Sequence, residues 1–256
     1  MMKEILIYSD DGAGPRATRY LKLSLVEEGI HERYRIRRVN RFDLRTPKWC
    51  DKTVLLIFPG GRSMPYHEAL AGPTNRLIRA WVEQGGRYLG ICAGGYYGCN
   101  KVEFEQGTPL EIVREHELRF FSGTARGPAY GTGVFRYENE SGARLANLSW
   151  YGDSKIAQKE LSCYYNGGCS FVDAHKMPDV HVLARYSDIQ DSPAAIIECA
   201  VGKGKALLCG VHPEYAPHFL EKNDPHLSGL RQRLEKVNEG RRLLFTQMIE
   251  KVLCTN

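Results

Sequence analysis

No apolar run in the sequence is long enough to span a bilayer: the longest, such as Thr53 to Phe58, fall far short of the roughly 20 residues a membrane-crossing helix needs. The opening MMKEILIYSDD meets acidic residues at once and has the length of a strand. It lacks a basic region, an apolar core and a cleavage site, so no export is expected. The eight cysteines contain no CxxC pair, and Cys163 and Cys169 are separated by five residues that include a turn, so zinc-site spacing is missing. The expectation is reduced thiols in a cytoplasm, with no metal, no cofactor and no membrane partner. Linkers, low-complexity tracts and internal repeats are also missing, which predicts one domain over residues 1–256.

What is present is the composition of a folded enzyme-sized body. Hydrophobic residues make up 43% and charged residues 25% of 256, which argues against disorder, collagen and coiled coil. Net charge is +5, from 35 basic and 30 acidic residues, and seven Arg or Lys against two acids lie between His31 and Lys48. Such a stripe invites nucleic acid, but no aromatic-plus-glycine signature or DNA-reading motif accompanies it. Arg33, Arg35 and Arg37 alternate as the solvated face of a strand does, so no nucleic-acid partner is expected.

The first hundred residues alternate short apolar runs with amphipathic ones of helix length, the pattern of a parallel sheet covered by helices. Strands are predicted at Glu4 to Tyr8, Tyr34 to Val39, Val54 to Phe58 and Arg87 to Ile91. Helices are predicted at Pro15 to Glu28, at Tyr66 to Gln84 and onward from Ala93. After residue 118 short β-prone runs divided by glycine and asparagine (ELRFFSG, GVFRYENESGARLANLSW, ELSCYYNGGCSFVD, DVHVLARY) suggest hairpins. Ala194 to Cys209 suggests two strands about a glycine turn. Pro225 to Leu253 is a helix with Leu227, Leu230, Leu234 and Val237 at helical spacing, broken or kinked near Gly240.

The most specific local feature is YLGICAGGYYG, residues 88–98. Cys92 stands in a G-x-C-x-G directly after an apolar strand and before a predicted helix, the cysteine form of a nucleophile elbow. Gly90 and Gly94 must lack side chains where the backbone folds past itself, and the positive end of a following helix dipole favours thiolate. Catalysis needs a base and an orienting acid as well. His212 follows the strand ending at Cys209, so it emerges at the same sheet edge as Cys92. Glu214 lies two residues on, on the same side if Pro213 keeps the chain extended. FPGG, residues 58–61, follows another strand and leaves backbone N–H groups of Gly60 and Gly61 to face an oxyanion beside that of Ala93.

A strand ending in PGG, then a GxCxG elbow, then HPE after a late strand, resembles the class I glutamine amidotransferase superfamily in kind and in order. GICAGGYYG, YYNGG at residues 164–168 and YSDDGAG at residues 8–14 are closer still to the biotin-protein ligase N-terminal domain family within it. The resemblance covers most of the chain. It implies an α/β, flavodoxin-like three-layer sandwich with a mainly parallel central sheet and added antiparallel hairpins. It also implies a Cys92, His212, Glu214 triad, an oxyanion hole at Gly60, Gly61 and Ala93, and a pocket lined by Gly94, Gly95, Tyr96, Tyr164, Asn166, Gly168 and Asp11.

Two departures bear on function. Glutamine-hydrolysing members carry a glutamine just after the elbow, where this chain has Gly95, Tyr96 and Tyr97. A GRGRxxR-type biotin and ATP loop is missing, which predicts no biotinylation by this chain alone. The leading expectation is an amidotransferase-like cysteine hydrolase acting on a small-molecule amide or acyl substrate. The alternative is a catalytically silent module partnering a biotin ligase or another enzyme.

Blander readings stand beside each motif. Cys92 fits a small residue packed in a glycine turn, and His212 with Glu214 fits an exposed ion pair. Cys99, on the helix expected after the elbow, fits a core residue or a resolving thiol. Asn166-Gly167 fits a tight hairpin turn or the mouth of a pocket. DDGAG lacks the third glycine of a phosphate loop, and His175 and His181 read as surface residues rather than ligands.

Overall fold

The computed structural model describes residues 2–152 and 160–254. Its N-terminal part is built as the apolar periodicity requires: β1 (Glu4–Tyr8), α1 (Pro15–Glu27), α2 (Ile30–Arg33), β2 (Arg35–Val39), α3 (Arg41–Leu44), β3 (Thr53–Phe58), α4 (Ser63–Leu70), α5 (Pro73–Glu83), β4 (Arg87–Ile91) and α6 (Ala93–Tyr97). Then come β5 (Cys99–Phe104), β6 (Ile112–Glu115), β7 (Phe121–Gly127), β8 (Arg144–Trp150), β9 (Glu160–Tyr165), β10 (Ser170–Phe171), β11 (Val180–Tyr186), β12 (Ala194–Val201), β13 (Gly204–Cys209) and α7 (Ser228–Leu253).

The strands join one 13-stranded sheet ordered β2-β1-β3-β4-β13-β12-β10-β7-β5-β6, with β11 pairing β12 and β8, and β8 pairing β9. The run from β2 to β13 is parallel throughout. β12 turns back antiparallel on β13, and the later strands are mostly antiparallel additions. This is the α/β arrangement expected from the sequence.

Alternation along the parallel strands builds a core on each face. Leu6, Tyr8, Leu56, Phe58 and Tyr88 point to one side, where α5 contributes Ile78, Trp81 and Val82. Ile5, Ile7, Leu55, Ile57, Leu89 and Ile91 point to the other, covered by Leu21 and Leu25 of α1 and by Leu244, Phe245 and Met248 of α7. All of these except Trp81 are essentially inaccessible to water. At ~1.5–3 kcal/mol for each large apolar side chain buried, these two layers supply the main favourable contribution to folding.

Several expectations need correction. The single helix expected from Tyr66 to Gln84 is two, because Gly72 takes φ +72° and Pro73 opens a new helix at its first position, where the missing N–H costs nothing. The helix expected onward from Ala93 is only five residues long and gives way to β5, so Cys99 opens a strand and is fully buried. YYNGG is not a hairpin turn, since β9 pairs with β8 while β10 pairs with β7 and β12. In GVFRYENESGARLANLSW only Arg144–Trp150 is strand. α7 begins at Ser228 and runs unbroken through Gly240. In the basic stripe Arg33 ends α2, while Arg35 and Arg37 on β2 pair with Glu4 of the neighbouring strand.

Candidate active site

β4 and β13 are parallel neighbours in register at Ile91 and Cys209, so the residues that follow each strand emerge together at one sheet edge. The Cys92 N–H donates to the Cys209 carbonyl at 2.7 Å, tying the two exits. Cys92 itself has φ +51° and ψ −105°, a backbone conformation rare for a residue with a side chain and diagnostic of a strained elbow. The flanking glycines permit it. A Cβ on Gly90 would lie 2.2 Å from the Gly94 carbonyl oxygen, and one on Gly94 would lie 2.0 Å from the Phe58 carbonyl oxygen. Because α6 is barely more than one turn, its dipole at Cys92 is smaller than a long helix would give.

His212 is held from several sides. Its N–H donates to the Tyr164 carbonyl at 2.8 Å, bridging β9 to the end of β13, and its ring packs 4.6 Å from that of Tyr215. Nδ1 is 2.8 Å from Oε1 of Glu214, which is fully buried. Pro213 and Glu214 form a turn closed by the Tyr215 N–H on the His212 carbonyl at 3.2 Å, so the carboxylate reaches the ring by turning back and not along an extended chain. With Nδ1 occupied, Nε2 is the nitrogen left for Cys92, which lines the same cleft. Burial alone would lower the His212 pKa; the charges of Glu214 and Cys92 and the hydrogen bond to Glu214 outweigh it and raise it from 6.5 to about 10.

Two further contacts fix the segment. Ser24 of α1 donates its hydroxyl to the Glu214 carbonyl at 2.7 Å. The guanidinium of Arg241, which is 1% exposed on α7, donates to the Pro213 carbonyl and, through Nε, to Asn238 at 2.8 Å.

The FPGG loop lies beside this pair. Gly61 has φ +149° and bridges Ala13, and among the described residues no acceptor takes the N–H of Gly61 or of Ala93. Both residues line the same cleft as Cys92 and His212, a concavity of about 1000 Å³. Gly60 lies there too, and its lack of a side chain makes room for the His212 ring: a Cβ would come within 2.6 Å of His212 Cε1.

Of the other residues expected to line the pocket, Tyr96, Tyr164 and Asn166 do so, and the Asn166 carbonyl lies 3.9 Å from Cys92 Sγ. Tyr96 donates to the Gly167 carbonyl at 3.0 Å. Gly94, Gly95 and Gly168 are instead pressed against backbone carbonyls of Phe58, Cys209 and Gly210 and carry no lining surface. Asp11 lines a shallower neighbouring depression, where it pairs with Arg41. His175 and His181 are both exposed. The eight cysteines are unpaired, and no cluster of three or more potential metal ligands occurs among the described residues.

Sequence reasoning missed the opposite wall: Phe104 of β5, and Phe135, Tyr137 and Glu140 of the segment between β7 and β8. Glu140 accepts from the Tyr164 hydroxyl at 2.5 Å, Asn166 Nδ2 at 2.8 Å and Arg16 at 2.8 Å. The one available signal is the alternation of Phe135 and Tyr137, which reads as strand; nothing local says that they face the elbow.

Comparison with known proteins agrees with this architecture. The model of the family described as biotin-protein ligase, N terminal, matches residues 3–255. An uncharacterized protein of Chlamydia muridarum is 36% identical over 253 residues, covering 98% of this chain and 96% of its own. A biotin-protein ligase of Schizosaccharomyces pombe is 36% identical over 225 residues, and the match spans 86% of this chain but only 35% of the ligase. Among solved structures, PurLQS of Thermotoga maritima superposes with a TM-score of 0.59 at 18% identity, covering 99% of this chain and 100% of that one. A GMP synthase-like protein of Thermoplasma acidophilum superposes with a TM-score of 0.50 at 11% identity, covering 98% of each chain. The shared fold is that of class I glutamine amidotransferase-like proteins.

Proposed function

We propose, from the premise that this chain belongs to the biotin-protein ligase N-terminal family, that its cleft is the active site of a cysteine hydrolase of amidotransferase type. The observation that carries the reading is the buried Glu214–His212 pair at 2.8 Å, lining one cleft with a cysteine held at positive φ. Neither a packing cysteine nor a surface ion pair calls for that arrangement.

In this mechanism Cys92 sulfur forms a bond to the substrate carbonyl carbon, and the carbonyl electron pair moves onto oxygen, which accepts from the N–H groups of Gly61 and Ala93. As the tetrahedral species collapses, the C–N bond breaks and the His212 imidazolium gives its proton to the leaving amine. Neutral His212 then takes a proton from water, whose oxygen attacks the thioester, and the C–S bond breaks to return thiolate and free acid. Glu214 keeps the imidazole oriented throughout.

The experiment is peptide-resolved alkylation by iodoacetamide over a range of pH, with exposed Cys254 as internal control. Cys92 should label faster than Cys254 well below the roughly 8.5 of a free thiol, and His212→Asn should abolish the advantage. Equal labelling of the two cysteines, unaffected by the substitution, would sink the mechanism.

Two observations favour a second reading. The Schizosaccharomyces pombe ligase matches this chain over only 35% of its length, and Gly95, Tyr96 and Tyr97 follow the elbow where glutamine-hydrolysing members carry a glutamine. In that reading the chain is a module acting on a biotin ligase. Addition of Cys92→Ala protein would then change a purified ligase's rate as fully as wild type does.

A further inference from the structure

Opposite Cys92 the cleft has an apolar wall that the hydrolytic chemistry does not use. Phe104, Phe135 and Tyr137 form a continuous aromatic surface, with Phe104 and Phe135 ring centroids 5.4 Å apart and Phe135 and Tyr137 4.9 Å apart. The β5–β6 hairpin extends it with Val102 and Ile112. The wall reaches the nucleophile. Phe135 lies over Gly167, where a Cβ would be 2.5 Å from its ring, and Gly167 adjoins Asn166, whose carbonyl is 3.9 Å from Cys92 Sγ. The Arg62 guanidinium stacks over the Tyr137 ring, 4.2 Å from its centroid.

Phe135 and Tyr137 are only half-buried, on the inner surface of a concavity and not in a closed core. Apolar surface left wet inside a cleft of this size is the usual mark of a ligand subsite. A short polar amide such as glutamine would leave it uncovered. Its charged end would meet the rings of Phe135 and Tyr137, while Glu140 and Arg16 of the same cleft are already paired with each other.

We infer that the substrate is an amide carrying an apolar arm of several carbons, which lies along Phe104, Phe135 and Tyr137 while its carbonyl meets Cys92. The inference rests on the reading of Cys92 as nucleophile, and its test separates the two. N-methyl-, N-butyl- and N-hexyl-iodoacetamide are reacted with the protein, and the rate at Cys92 is divided by the rate at exposed Cys254. The ratio should climb along the series, by up to about fourfold per methylene, the factor that complete burial of one CH₂ carries. Phe135→Ser and Tyr137→Ser should each flatten the climb.

A level series in wild type, with Cys92 still labelled under His212 control, overturns the apolar arm and leaves the nucleophile in place. If Cys92 instead labels no faster than Cys254 with any probe and ignores His212→Asn, the nucleophile reading falls. The wall is then tested by titrating N-hexylacetamide and N-methylacetamide into Cys92→Ala protein. Tighter binding of the hexyl compound upholds the subsite, and equal binding overturns it.

Discussion

Replacing Glu214 by glutamine keeps the shape of the buried pair and removes its charge. In the wild-type protein the raised His212 pKa contributes to folding: below pH 6.5 the imidazole is protonated in folded and unfolded chains alike and the contribution is complete. Between 6.5 and about 10 the unfolded chain releases the proton that the folded protein retains, so the contribution declines, and above about 10 it is gone. At about 1.4 kcal/mol for each pH unit of that window the raised pKa is worth on the order of 5 kcal/mol, the upper end of the ~3–5 kcal/mol lost when one partner of a buried ion pair is removed. In Glu214→Gln burial is left to lower the His212 pKa, because the largest opposing charge has gone. Urea unfolding at pH 6, 8 and 10 should therefore show a deficit of about 5 kcal/mol at pH 6, less at pH 8 and little at pH 10. An equal deficit at all three would refute the electrostatic argument and assign the loss to packing.

Three further outcomes follow from the same contacts. Gly94→Ala forces a Cβ to within 2.0 Å of the Phe58 carbonyl oxygen, backbone against backbone, and should cost ~3 kcal/mol or more in a urea titration while disabling the elbow. Arg241→Met removes a buried cation of similar volume, so stability should change by less than ~2 kcal/mol; with the Pro213 carbonyl released, however, alkylation of Cys92 should slow about tenfold, a kinetic loss that equal rates would rule out. His116, buried against Tyr96 and stacked on His67, has its pKa lowered to about 4, by burial first and His67 second. Stability should thus fall as pH drops from 6.5 towards 4, by up to ~3 kcal/mol, and the acid limb of His116→Phe should be flatter by that amount.

Cys92, His212 and Glu214 belong to two short contiguous motifs, each directly after an apolar strand, and that is why they are legible in the chain. The parallel half of the sheet is legible for the same reason: β1, β3 and β4 are buried on both faces and read as unbroken apolar runs. The short-range signals fail where long-range contact decides. Gly98 and Cys99 give no sign that the chain leaves the helix for a strand, because β5 is held by pairing with β6 and β7, both of which lie further along the chain. Gly60 reads as part of the oxyanion hole alone, yet its missing side chain also makes room for the His212 ring, a neighbour 152 positions away.

Strand periodicity, turn glycines and the adjacency of His212 to Glu214 are local properties, set by backbone sterics and by hydrogen bonds over a few residues, and the sequence by itself determined them. Which residues face Cys92 is not local. Phe135, Tyr137 and Glu140 come from a segment without regular structure, and Arg241 comes from the far end of the chain, on α7. Their positions are set by the closing of the sheet and the burial of its faces, so only the tertiary structure decided the opposite wall of the cleft and the cation behind the HPE turn.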